Sequence, residues 1–232
     1  MKVAIIPARG GSKRIPKKNI KNFCGKPIIG WVINILKKSK IFDRIIVSTD
    51  DKKIISIVKK YNVEAPFVRP KKLANDKVGT SEVVEHAISW LQKTGYKPSQ
   101  VCCVYPTSPL LQIKDLKKSL QILNSGKWEY VFSASSFGPS IFRSFAKNKK
   151  GKIKIIFPKK VNKRSQDLEK AYHDAGQFYW GMAKTWLSKK EIFGKKSKII
   201  LLPRWRVQDI DVIEDWKNAE IIFRLLKKKR TI

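Results

Sequence analysis

At 232 residues the chain is of a length to form one domain, 1–232, and to bury a core without disulfide or metal staples. Its 42% hydrophobic and 10% aromatic content excludes a disordered chain. The net charge of +33 invites a nucleic-acid reading, yet 41 of the 51 basic residues are Lys, scattered in pairs such as Lys37-Lys38 and Lys117-Lys118, whereas base reading and bidentate phosphate clamping favour Arg. A solvated Lys surface that draws phosphorylated substrates inward is the simpler account.

The three Cys, Cys24, Cys102 and Cys103, have neither disulfide nor zinc spacing, which fits a reducing, cytoplasmic setting. Val3–Ile6 is too short for the core of a signal peptide, and no apolar run approaches a membrane span. Neither a membrane nor a specific nucleic acid is therefore an expected partner.

In chain order, Val3–Ile6 reads as a buried strand followed by a basic loop to Phe23, and Pro27 opens a helix ending in Lys37-Lys38. Arg44–Ser48 is a second strand, and Thr49-Asp50-Asp51 caps a helix carrying Ile54 and Val58. Val63–Pro66 reads as a short third strand, 69–79 as a long loop, and Thr80 to Leu91 as a helix. A strand at Val101–Val104, a helix through Leu123, and a strand at Tyr130–Ala134 follow. Residues 137–172 are Lys-rich and aperiodic, with one hairpin expected near Ile153–Ile156. Strands at Ala175–Met182 and Ile199–Leu202 precede a final helix from about Ile213 to Leu226, with Trp216, Ile221, Ile222 and Leu225 inward. The Lys227–Arg230 tail reads as a helix C-terminus favoured by the dipole. Strands alternating with helices predict an α/β fold, a mostly parallel sheet covered on both faces, with ligands beyond the strands' carboxyl ends.

The strongest local signal is Pro7-Ala8-Arg9-Gly10-Gly11-Ser12-Lys13-Arg14-Ile15-Pro16-Lys17-Lys18-Asn19, directly after the first strand. It is neither a P-loop nor a dinucleotide fingerprint. Gly10 and Gly11 let backbone amides turn toward an anion, Ser12 adds a donor, and Arg9, Lys13 and Lys18 add positive charge, the combination that phosphate contact needs. Near the C-terminus, alternation along an extended Asp209-Ile210-Asp211 puts both carboxylates on one face, suited to Mg2+ beside a triphosphate. Asp211 could instead cap the last helix, and the phosphate loop tips the balance toward metal.

The first loop resembles the signature of the acylneuraminate cytidylyltransferases, which join CMP to nine-carbon acidic sugars. Ala8, Arg9, Ser12, Lys13, Ile15, Lys18 and Asn19 match that pattern, and the resemblance continues at Gly25–Ile28, Val47–Asp51, Arg69–Asp76, Pro106–Leu110 and Asp209–Asp211. It implies a Rossmann-like three-layer nucleotidyltransferase fold. It also implies a nucleotide site of Ala8, Arg9, Gly10, Gly11, Ser12, Lys13, Lys18, Asn19, Arg69 and Asp76, in which Arg9, Ser12, Lys13 and Lys18 meet the CTP phosphates while Asn19 and Arg69 lie at the nucleoside. Catalysis would fall to Arg9, Lys13, Asp209 and Asp211, with Mg2+ on the two aspartates.

Tyr105 stands where most sialic-acid members carry Gln, and Tyr172–Trp180 departs from their sequence in the same way, so both stretches look like the pseudaminic acid branch. Sugar contacts are accordingly assigned to Tyr105, Thr107, Ser108, His173, Gln177 and Tyr179. Phe178, Trp180 and His86 read as structural, and His173 is not assigned as a base. The family resemblance further implies a homodimer with 137–172 as the extension reaching the partner. The rival readings are an N-acetylneuraminate, legionaminate or deoxyoctulosonate enzyme, a catalytically silent binding protein, or a basic nucleic-acid-binding protein.

Overall fold

The computed structural model describes residues 1–228, so Lys229 and Arg230 of the expected basic helix end lie outside the described residues. In chain order the elements are β1 (Lys2–Pro7), β2 (Asn22–Phe23), β3 (Lys26–Pro27), α1 (Ile28–Ser39), β4 (Arg44–Ser48), α2 (Lys52–Lys59), α3 (Thr80–Lys93) and β5 (Gln100–Val104). Then follow α4 (Ile113–Asn124), β6 (Tyr130–Ser136), β7 (Phe145–Lys147), β8 (Ile153–Ile155), β9 (Tyr172–Met182), α5 (Ala183–Leu187), β10 (Ser197–Leu201) and α6 (Ile213–Lys228).

Six strands form the central sheet in the order β10-β6-β9-β5-β1-β4. All neighbours pair in parallel except β9, which runs antiparallel to both β5 and β6. Period-two alternation divides the core. Ala4, Ile6, Cys102 and Val104 face the layer of α1, α2 and α4, while Val3, Ile5, Val101 and Cys103 face α3 and α5. The mostly parallel, three-layer architecture read from the sequence is the one observed, and it sends the loops after β1, β4 and β5 to one end of the sheet.

Two expectations are corrected and one is borne out. Val63–Pro66 forms no strand: Glu64 makes one isolated parallel bridge to Ile46, and Val68, beyond the segment, makes another to Thr49, so the two never join into a continuous ladder. The hairpin expected near Ile153–Ile156 is present: Phe145–Lys147 pairs with Ile153–Ile155, and Ile156 N donates to Ser144 O at 3.1 Å. In α6, Trp216, Ala219, Phe223 and Leu226 are buried and Ile222 packs against them, whereas Ile221 and Leu225 are more than half exposed. The buried stripe is set by Ile15, Phe23 and Ile210, which α6 covers, and Phe223 and Trp216 both meet the Phe23 ring edge-on.

Candidate active site

The loop after β1 is built by hydrogen bonds to its neighbours. Ala8 N donates to Ser48 O at 2.9 Å, and Asn19 Nδ2 donates to Arg9 O at 2.9 Å. Gly10 N donates to Asp50 Oδ1 at 3.0 Å, so the anion this amide turns toward is a carboxylate of the chain itself. A Cβ at Gly10 would come within 2.7 Å of Asp51 Oδ2, so only glycine fits beside the residue that caps α2.

This loop opens on a cavity of about 380 Å³ at the carboxyl ends of β1 and β5, a volume in the range of small-ligand sites. Of the residues singled out in the sequence, the cavity gathers Arg9, Ser12, Lys13, Lys18, Asn19, Asp76, Tyr105 and Thr107. Arg14 and Thr80, not singled out, also line it. Asp76 bridges Arg9 at 2.5 Å and Lys13 at 2.6 Å, and these two cations hold its carboxyl below the usual carboxylate range. An exposed carboxylate of the expected nucleotide site thus sits directly on two of the cations of the basic loop.

Tyr105 reaches the cavity from the end of β5 and shares a 2.7 Å hydrogen bond with Thr80 Oγ1, and burial pushes its phenol up to about 12. Thr80 was missed because its hydroxyl, at the start of α3, reads as ordinary helix-capping chemistry.

The other sugar-contact candidates are turned inward. Ser108 is buried and donates to Gly176 O at 3.2 Å. Gln177 is buried, and its Nε2 donates to Arg206 O at 2.7 Å. Tyr179 is buried and donates its hydroxyl to Asp174, and its own phenol is raised well out of the normal range, chiefly by burial. His173 is half-buried against Phe137, and its Nδ1 lies 2.8 Å from Asp174 O; a carbonyl only accepts, so Nδ1 carries the proton. None of these four lines the cavity: Ser108 turns to the β9 backbone, and the other three lie on β9, between β5 and β6. Ala8 is likewise buried and offers only backbone. Gly11 is exposed with open space around its Cα.

Arg69 is buried 3.8 Å from Asp50, and its Nε and Nη2 have no hydrogen-bond partner. Burial lowers its basicity, Asp50 opposing and Arg9 adding to that effect. It does not line the cavity, and neither do Asp209 and Asp211.

Asp211 instead pairs with Arg14 at 2.7 Å and Lys18 at 3.5 Å, two cations that do line it. Ile210 is buried while Asp211 is partly exposed, in keeping with the alternation expected there. Capping of α6 falls to Asp215, whose Oδ2 accepts from Asp211 N and Val212 N at 2.9 Å each. Burial raises the Asp209 carboxyl, with repulsion from Asp211 next and Lys18 opposing. Among the described residues no group of three or more His, Cys, Asp or Glu side chains forms a metal cage. A cation here would have two carboxylates from the chain and the rest of its oxygens from elsewhere. Hard oxygen donors that repel one another fit Mg2+, which takes few protein ligands when phosphates supply the others.

A basic, glycine-bearing loop at the carboxyl end of the first strand, opening on such a cavity, defines a nucleotide-binding α/β protein. The cytidylyltransferase family model matches residues 3–227, and the chain belongs to that family, which makes it a nucleotidyltransferase. It is 43% identical over 223 residues, 96% of either chain, to a pseudaminic acid cytidylyltransferase of Campylobacter jejuni subsp. jejuni serotype O:2. It is 31% identical over 96% of either chain to a CMP-N,N'-diacetyllegionaminic acid synthase of Legionella pneumophila. A solved CMP:2-keto-3-deoxy-manno-octonic acid synthetase complexed with CTP superposes with a TM-score of 0.68 over 98% of this chain and 99% of that one, at 15% identity, which shows the fold alone.

Proposed function

We propose that the chain transfers CMP from CTP to an acidic nine-carbon sugar, with pseudaminic acid the preferred acceptor. The observation that carries this reading is the convergence of Arg9, Lys13 and Lys18 on one cavity that also receives Tyr105. The higher identity to the pseudaminic acid enzyme than to the legionaminic acid enzyme supports the choice of sugar.

In the proposed reaction the sugar's anomeric oxygen attacks the α-phosphorus, the new P–O bond forms as the α–β bridge breaks, and pyrophosphate leaves. Arg9, Ser12, Lys13 and Lys18 hold the phosphates and take up the charge that builds in line. Asp76 gives way to the triphosphate, since one set of cations cannot fully serve both anions. Arg69, with two buried unpartnered donors, is poised for an acceptor on the nucleoside side, while Asn19 acts by fixing the Arg9 carbonyl. Asp209 and Asp211 would hold Mg2+, which when bound supplies charge neutralisation at the phosphates. Tyr105 and Thr107 present hydroxyls to the acceptor sugar. Ser108, His173, Gln177 and Tyr179 shape that end of the site through the backbone of β9.

The hairpin β7–β8 carries Phe145 and Ile153 with about 60% of their surface exposed (60% and 61%), which supports a homodimer in which 137–172 covers a partner. The cytoplasm is the proposed location: the three cysteines are free, Cys102 and Cys103 are buried, and no helix among the described residues is long and apolar enough to cross a membrane.

Pyrophosphate release from CTP and Mg2+, with pseudaminic acid and N-acetylneuraminic acid assayed side by side, tests the reading. Release with pseudaminic acid alone is expected. Release with the neuraminic acid alone would overturn the sugar, and silence with every nonulosonic acid would overturn the activity.

A further inference from the structure

The Asp209–Asp211 segment belongs to no strand, so no ladder of backbone hydrogen bonds fixes the direction of its carboxylates. Its C-terminal side is tied down: Lys18 Nζ donates to Ile210 O at 2.5 Å, and Asp215 receives the amides of Asp211 and Val212. Its N-terminal side is held three residues before Asp209. There Arg206, 3% exposed, donates from Nη1 to Asp115 Oδ2 at 2.5 Å, and Asp115, in the first turn of α4, is 8% exposed. Gln177 Nε2, from β9, holds the Arg206 carbonyl at 2.7 Å. This donor assignment is forced, because the carbonyl can only accept. Gly176 takes a left-handed φ of +59 that favours glycine, and it lies beside Asp209, whose Oδ1 would be in ordinary contact, 3.8 Å, with a Cβ built there.

Burying an ion pair costs desolvation on both partners, and an apolar pair of like volume commonly matches its stability. What the pair adds is a fixed direction, since the guanidinium and the carboxylate each accept only a narrow geometry. It joins residues 91 positions apart in sequence, α4 and the segment leading into Asp209.

We propose that Arg206, Asp115 and Gln177 are positioning residues that aim the Asp209 carboxylate at the cation accompanying the triphosphate. The proposal rests on the reading of Asp209 and Asp211 as the metal-holding pair. Outer partners of this kind typically change metal affinity 10- to 100-fold.

The test compares Arg206→Lys and the double variant Arg206→Met with Asp115→Leu, on the full chain, with Asp209→Ala beside them. Mg2+ affinity is measured by calorimetry with CTP present and no acceptor sugar, alongside thermal melting and the kcat and KM for CTP. The double variant keeps the core filled, and Arg206→Lys keeps the charge, so a folded protein is available in at least one background. Mg2+ affinity about tenfold weaker, with kcat reduced and the KM for CTP little changed, is the expected result in every variant that melts as the parent does. Unchanged Mg2+ affinity in a folded Arg206 variant, with Asp209→Ala impaired, overturns the positioning role and leaves the carboxylate reading standing. Unchanged Mg2+ affinity in Asp209→Ala overturns the carboxylate reading, and the positioning role falls with it.

Discussion

The loop after β1 and the strand β9 both supplied candidate site residues, and the two regions use them in opposite ways. Arg9, Ser12, Lys13 and Lys18 project into the cavity, while Ser108, which binds β9, and Gln177 and Tyr179 within it spend their polar atoms on the protein itself. The difference follows from covering. A loop at the end of a sheet keeps one side toward solvent, so its charges can pair with exposed carboxylates, as Arg9 and Lys13 do with Asp76, and still face the cavity. A strand flanked on both edges and both faces must satisfy most of the polar groups it buries, and on β9 only Gln177 Oε1 and Trp180 Nε1 among the buried side-chain atoms of the described residues lack a partner. A polar residue in an apolar run is therefore a weaker sign of ligand contact than the same residue in a terminal loop.

The largest effect that would sharpen this contrast is expected at the loop. Lys13→Ala should lower CTP turnover about 10²- to 10³-fold, as loss of one transition-state donor does, with little change in melting because the Lys13–Asp76 pair is exposed. Retained turnover with a large melting shift would reverse the roles of the two regions.

A paired comparison comes next. Tyr179→Phe removes a buried hydroxyl that donates to Asp174 and should destabilise the fold by about 1–3 kcal/mol, leaving the acceptor KM nearly unchanged. Tyr105→Phe should do the opposite, raising the acceptor KM several-fold while melting moves less. Thermal melts and acceptor titrations on both variants decide it. If Tyr179→Phe alone moved the acceptor KM, β9 would be a contact surface after all.

The smallest effect concerns His86, a residue read as structural. Its ring packs on Phe67, and burial lowers its basicity from the ordinary value of 6.5, with Arg69, Lys72 and Lys93 acting in the same direction. A histidine that stays neutral in the fold but protonates when unfolded makes stability decline as pH falls below 6.5. His86→Leu should flatten that decline in denaturant titrations across the same pH range. An unaltered slope would show that His86 protonates equally in both states.

Most of the layered fold was legible because burial imprints a period on the chain. Val3 and Ile5 point to one layer and Ala4 and Ile6 to the other, and the run reads as a strand covered on both faces. Val63–Pro66 misled because a short apolar run has the composition of a strand whether or not a neighbour aligns with it. Ile221 and Leu225 misled for a related reason: two apolar stripes fit α6, and only the position of Phe23 and Ile210 selects one. Asp211 was ambiguous between ligand and cap until Asp215 was seen taking the two amides.

Local chemistry, then, was the sequence's to determine: where strands alternate with helices, which loop is basic and glycine-bearing, and which ordered motifs place the chain among the cytidylyltransferases. Those properties depend on near neighbours or on the order of short segments, which a linear string preserves. Tertiary structure alone decided that Asp76 neutralises Arg9 and Lys13, that Thr80 meets Tyr105, and that Arg206 reaches Asp115. Each joins side chains from different elements, and a contact of 2.5 to 2.7 Å between them exists only once the layers have packed and set the angles of approach.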